Sequence, residues 1–330
     1  MRLITLFILL VIFFILDILF GSVTLPPGDV IRTFMGNAPD EVTREILLNY
    51  RLPKAVTAVL TGSALSVGGL LMQVLFRNPL AGPDVLGINS GAGLGVALFT
   101  MFGFSSFALV GELGLVGVAI AGALLVLLCV VSISHKVKEN TSLLIIGIMI
   151  GNLAGAVVSI LQSISNPDAI KLFIIWTFGS LSSVTPAQMY IMIPAVLAGL
   201  IISFMLQKQL NSLLLGDNYA RSLGVNIERV RLWIILATAL LAGTATAFTG
   251  PIAFIGVAVP HIVRGILRTT NHYMLIPGAI LTGSVLMLIC DLISQLPGLK
   301  MTLPINAVTA MFGAPIIIWV LFKNKSVYFK

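Results

Sequence analysis

The sequence predicts an all-α protein that crosses a membrane about ten times. The chain is 58% hydrophobic and only 9% charged, whereas soluble domains carry roughly 25% charged residues. Runs such as Leu3–Phe20, Leu113–Ser134 and Met189–Leu206 have the roughly 18–22 apolar residues that a helix needs to cross a hydrocarbon core. Arg51–Gly95 adds a third observation. It enters as an apolar run, breaks at the Asn-Pro and Gly-Pro cluster of Arg77–Asp84, and restarts as a glycine-rich segment. A membrane chain that turns and re-enters without a long loop shapes a passage.

The expected spans are Leu3–Phe20, Pro53–Phe76, Leu86–Phe102, Leu113–Ser134, Thr141–Ser165, Met189–Leu206, Val230–Gly250, Ala253–Leu267, Tyr273–Gln295 and Ile305–Phe322. The first is read as a span because its apolar run exceeds the roughly 7–15 residues of a signal-peptide core and no A-x-A-like site follows. Residues 1–330 show no charge run, low-complexity tract or heptad pattern, and read as a single transmembrane domain. A long span followed by a short one occurs at Pro53–Phe102 and again at Val230–Leu267, each junction rich in proline and glycine. These units begin on opposite sides of the membrane, the pattern of an inverted repeat.

Charge sets the orientation. With the N-terminus inside, six of the nineteen Lys and Arg residues fall on outer edges (Arg32, Arg44, Arg51, Lys54, Lys171 and Lys300) and the other thirteen on inner edges. That places both termini in the cytoplasm. The net charge of +7 then reflects topology rather than nucleic-acid binding.

Chemistry is sparse. There is no GxxxxGK(S/T) loop, so ATP cannot be bound by that route. No metal-ligand spacing and no Ser/His/Asp arrangement appears, so an enzyme has little to stand on; His135, His261 and His272 read as surface or loop residues. Cys129 and Cys290 read as buried small apolar residues. Asp17 and Asp291 fall near outer span ends, where water is expected to reach them. A secondary carrier driven by an ion gradient is the alternative class, but it needs a carboxylate near mid-membrane. Gln73, Asn152 and Gln162 either bond helix to helix or line a polar passage.

Gly147, Gly151 and Gly155 share one helix face, with Asn152 alongside. Such a face serves either tight packing within one subunit or a dimer contact. Leu213–Val230 is mixed in charge, and Gly216 and Gly224 bracket a short helix-forming stretch. It reads as a solvated loop, or as an amphipathic helix on which Ala220 and Leu223 share an apolar side for a soluble partner.

Four blocks in order, RLPK with LLMQVLFRNPLAGPDVLGINSGAGLG, then LLLGDNYARSLGVNIERVR, AFTGPIAFIGVAVPHIVR and PINAVTAMFGAPIIIWVLFK, resemble the FecCD-type ABC importer permeases. That family serves iron–siderophores, haem and cobalamin. The resemblance implies the inverted-repeat, ten-helix type II importer permease fold in a bacterial inner membrane. It implies a homodimer, or a pair with a close paralogue, around a central passage. Two cytoplasmic ATPase subunits supply the energy, a periplasmic or lipid-anchored binding protein delivers the chelate, and no cofactor is held on this chain. By the same resemblance Gly216, Asp217, Ala220, Leu223 and Gly224 fall in the segment that couples to the ATPases. Asn78, Pro79 and Leu80 fall at one cytoplasmic constriction, with Thr141 and Ser142 near a second, and the glycine face of the fifth span borders the passage. On the residues alone Arg51 and Lys54 are snorkelling interfacial cations; the resemblance implies that they receive acidic residues of the binding protein. A third basic position of the family is Gln295 here, a departure that removes the third salt bridge unless Lys300, a few residues on, substitutes for it.

Overall fold

A computed structural model describes residues 1–21, 25–102, 111–134, 137, 139–295 and 302–328. The described residues contain helices and no strand. Each expected span coincides with a helix: α1 (Arg2–Leu19), α4 (Leu52–Leu75), α5 (Ile88–Met101), α6 (Gly111–Ser134), α7 (Asn140–Ile164), α9 (Pro186–Met205), α12 (Ile227–Thr249), α13 (Ile255–Leu267), α14 (His272–Ser294) and α15 (Ile305–Tyr328). Between them lie α2 (Pro27–Phe34), α3 (Glu41–Glu45), α8 (Pro167–Thr177), α10 (Gln207–Leu214) and α11 (Asp217–Ser222). Among the described residues seven helices are long and apolar enough to cross a membrane, Ile88–Met101 and Ile255–Leu267 are shorter apolar helices, and the described apolar part of α15 is Ile305–Trp319. At about 1.5 Å per residue, the 14 residues of α5 and 13 of α13 fall short of a hydrocarbon core about 30 Å thick.

Helix α4 is the axis of the molecule, packed by α14, α12, α13 and α9. Its most apolar stretch is 89% buried, against 17% for α1 and α7. Two glycines allow this crowding. A Cβ on Gly62 would lie 2.3 Å from the Gly283 carbonyl oxygen of α14, and one on Gly69 1.7 Å from that of Gly256 in α13. Small residues are what let helices approach closely in lipid, where burying apolar surface gives no net drive.

Between α1 and α4, where the expected spans leave a connection on the outer side, most of the described residues are helical. Pro27 occupies the first turn of α2 with Asp29 beside it, and Asp40 caps α3 by accepting the Thr43 N–H at 2.6 Å. A π-helical turn, Ile46–Arg51, then leads directly into α4. Helix α8 was also absent from the expected elements; Asn166 caps it by accepting the Ala169 N–H at 2.8 Å. Cys290 is buried as expected, but Cys129 is exposed on α6.

Candidate functional site

The two ends of α4 carry the polar chemistry. Its 24 residues extend roughly 36 Å, so the ends lie on opposite sides of a membrane-thick layer.

At the C-terminal end the helix stops at Leu75, and Arg77 turns the chain with a φ of +47°. Asn78 then closes a local turn, its Oδ1 accepting the Leu80 N–H at 2.9 Å. His261 Nε2 of α13 donates to the Pro79 carbonyl at 2.8 Å, and Leu80 is left exposed. The Arg77 guanidinium forms an ion pair with Asp217, the first residue of α11. Asn140, the first residue of α7, donates to the Leu75 carbonyl at 2.6 Å. Its Oδ1 accepts from buried Arg231 of α12 at 2.5 Å, and Arg231 also donates to the Val137 carbonyl at 2.9 Å. The end of α4, the start of α7 and the consecutive helices α11 and α12 thus meet at one polar node.

Gly216 and Gly224 flank α11 with φ of +104° and +81°, a conformation that side chains with a Cβ rarely adopt. Ala220 is fully buried, while Tyr219 and Leu223 are exposed. Leu223 therefore does not share the buried side with Ala220: the helix ends at Ser222, and Leu223 follows it as the cap residue. Beside it an open groove of about 540 Å³ is lined by Ile202, Met205, Leu223, Arg229 and Trp233, among others.

The N-terminal end of α4 is sealed. The Lys54 ammonium lies 3.3 Å from Asp17 of α1 and 2.6 Å from Asp291 of α14, and all three side chains are at most 5% exposed. Gln295 donates to Asp291 at 3.2 Å, and Arg51 donates to the Ile18 and Leu19 carbonyls, each at 2.7 Å. Water does not reach Asp17 or Asp291 as expected, because an ammonium buried in low dielectric needs opposite charge and α1 and α14 supply it. Nor do Arg51 and Lys54 point outward toward a delivery protein. Arg51 instead satisfies carbonyls at the end of α1, which lack partners within their own helix. Lys300 lies outside the described residues, as does His135.

The glycine face of α7 divides. A Cβ on Gly147 would lie 2.2 Å from the Val85 carbonyl, and one on Gly151 3.2 Å from Ser90 Oγ, so both pack against the turn preceding α5 and against α5 itself. Asn152 and Gly155 are exposed, and a Cβ on Gly155 would meet nothing within 4 Å. Thr141 is exposed and Ser142 Oγ donates to Glu139 at 3.3 Å. His272 is buried rather than superficial, its Nδ1 donating to Asn211 at 2.7 Å. Among the described residues no cluster of three His, Cys, Asp or Glu could hold a metal ion.

The sequence matches the model of the FecCD transport family over residues 9–323. The chain belongs to that family. It is 35% identical over 295 residues to the hemin transport system permease protein HmuU of Yersinia pestis, covering 89% of this chain and 88% of that one. It is 36% identical over 290 residues to the vitamin B12 import system permease protein BtuC of Vibrio cholerae, covering 87% and 86%. A solved metal-chelate type ABC transporter in an inward-facing conformation superposes with a TM-score of 0.86 at 28% identity, covering 97% of this chain and 98% of that one. The chain is thus a multi-pass membrane permease subunit of an ABC importer.

Sequence reasoning did not single out Arg77, Asn140 and Arg231. Each is a polar residue within two or three positions of a span end, and that is the only signal the sequence carries. What joins them is long-range: Arg231 and Asn140 are 91 residues apart, Arg77 and Asp217 140.

Proposed function

We propose that this chain pairs with a second copy, or a close paralogue, to form the passage of a bacterial inner-membrane importer for an iron–siderophore, haem or cobalamin. Two cytoplasmic ATPase subunits seat on α10 and α11, and a binding protein delivers the chelate at the opposite face. Both termini then lie in the cytoplasm. The observation that carries this reading is α11 itself. It is a short helix fixed by two positive-φ glycines, with Tyr219 and Leu223 exposed beside it, and it is bonded to the end of the most buried helix. The segment Asn78–Leu80 with Thr141 and Ser142 forms the constriction on that side, and Asn152 and Gly155 remain open toward the passage or the second copy. The names of the relatives support the chelate class, and large rigid chelates suit a passage that binds weakly while the delivery protein selects.

Reconstitution tests the proposal. Proteoliposomes holding this chain, its ATPase and its binding protein are supplied with haem, cobalamin or a ferric siderophore. Accumulation of one of them that requires internal ATP is the expected result. Accumulation by the chain alone under a proton or sodium gradient would establish the secondary-carrier reading instead.

A further inference from the structure

We infer that Arg77 and Asp217 form a transmission link that carries movement of α11 into the Asn78–Leu80 turn, with Arg231 and Asn140 as its fixed pivot. The inference rests on the reading of α11 as the ATPase contact. Two bonded arms leave the α11–α12 region. One runs from Asp217 at the start of α11 to Arg77, the residue immediately before the turn. The other runs from Arg231 at 2.5 Å to Asn140, which precedes Thr141 and is itself tied to Leu75 at 2.6 Å.

The arms differ in exposure, and that difference assigns their roles. Arg231 is buried and fixed to both Val137 and Asn140, so α7, α12 and the end of α4 stay together. The Arg77 and Asp217 side chains are 50% and 38% exposed, and an ion pair open to solvent contributes little to stability. A contact that holds so little of the fold together can break and re-form without unfolding its surroundings. The backbone of Arg77, at φ +47°, sits where helix ends and turn begins, so displacing its side chain acts directly on the turn. Arg77 and Asp217 are positioning residues that act through Asn78–Leu80.

The test uses the permease assembled with its ATPase in lipid, in a background lacking Cys129 and Cys290. Spin labels are placed at Leu80→Cys on the turn or at Tyr219→Cys on α11, both exposed positions. In the parental chain, ATP changes the spectrum at both positions. In Arg77→Glu the response at position 80 falls about fivefold, the low end of allosteric couplings, while position 219 still responds. Arg77→Gln gives a smaller loss, and the exchange Arg77→Glu with Asp217→Arg restores the response at position 80. An unchanged response at position 80 in Arg77→Glu overturns the link, as does failure of the exchange to restore it. Absence of any response at position 219 in the parental chain overturns the ATPase-contact reading instead, and the link falls with it.

Discussion

The two ends of α4 hold their charges in opposite ways. At one end Lys54 is enclosed by two carboxylates with almost no exposed surface. At the other, Arg77 meets Asp217 in a pair open to solvent. The first arrangement locks α1, α4 and α14 together, because none of its members can be left unpaired in low dielectric. The second can be broken at little cost. A transporter that works by alternating access needs both: a frame that does not yield and a contact that does.

The sharpest way to break this comparison is at the sealed end. Lys54→Met leaves two carboxylates buried without a cation and should destabilise the fold by about 3–5 kcal/mol, as for other buried pairs that lose one partner. Thermal unfolding of the purified chain measures it. Adding Asp17→Asn and Asp291→Asn to that variant should recover most of the loss, and no recovery would mean that charge is not what the cluster balances. Next in size is Gly69→Ala, whose Cβ would fall 1.7 Å from the Gly256 carbonyl. Overpacking of this kind costs about 1–3 kcal/mol, again read as a fall in unfolding temperature.

At the open end Arg77→Ala should shift stability by no more than about 1 kcal/mol while reducing uptake per ATP hydrolysed. A stability loss as large as that of Lys54→Met would erase the distinction between the ends. The smallest effect is chemical. Lys54 should resist an amine-acylating reagent in the folded chain, while exposed Lys171 and Lys208 react, as mass spectrometry of the modified peptides will show. Rapid acylation of Lys54 would return it to the docking role that its burial contradicts.

The fold was largely legible because membrane helices announce themselves by long apolar runs, and each expected span coincides with a helix. The short helices α2, α3 and α8 carried readable signals too: Pro27, Asp40 and Asn166 are start residues of the expected kinds. All three are shorter than the roughly 18–22 apolar residues that mark a span, so the criterion that finds the spans does not register them. The candidate site was legible only in pieces. Gly216, Gly224 and the Asn78–Leu80 turn are local features, readable from neighbouring residues. The partners of Lys54 are not, because Asp17 lies 37 residues away on another helix and periodicity does not tell which way two helices face each other. For the same reason Arg51 and Lys54 read as outward cations. Leu223 was assigned by helical spacing to a face that ends one residue before it.

The most direct measurement of whether energy enters this chain at α11 is the ratio of chelate taken up to ATP hydrolysed, in proteoliposomes carrying the importer with residues Gly216–Gly224 replaced by a flexible glycine–serine stretch. The ratio should collapse toward zero while the permease still purifies folded. An unchanged ratio would show that α11 does not couple the ATPase to the passage.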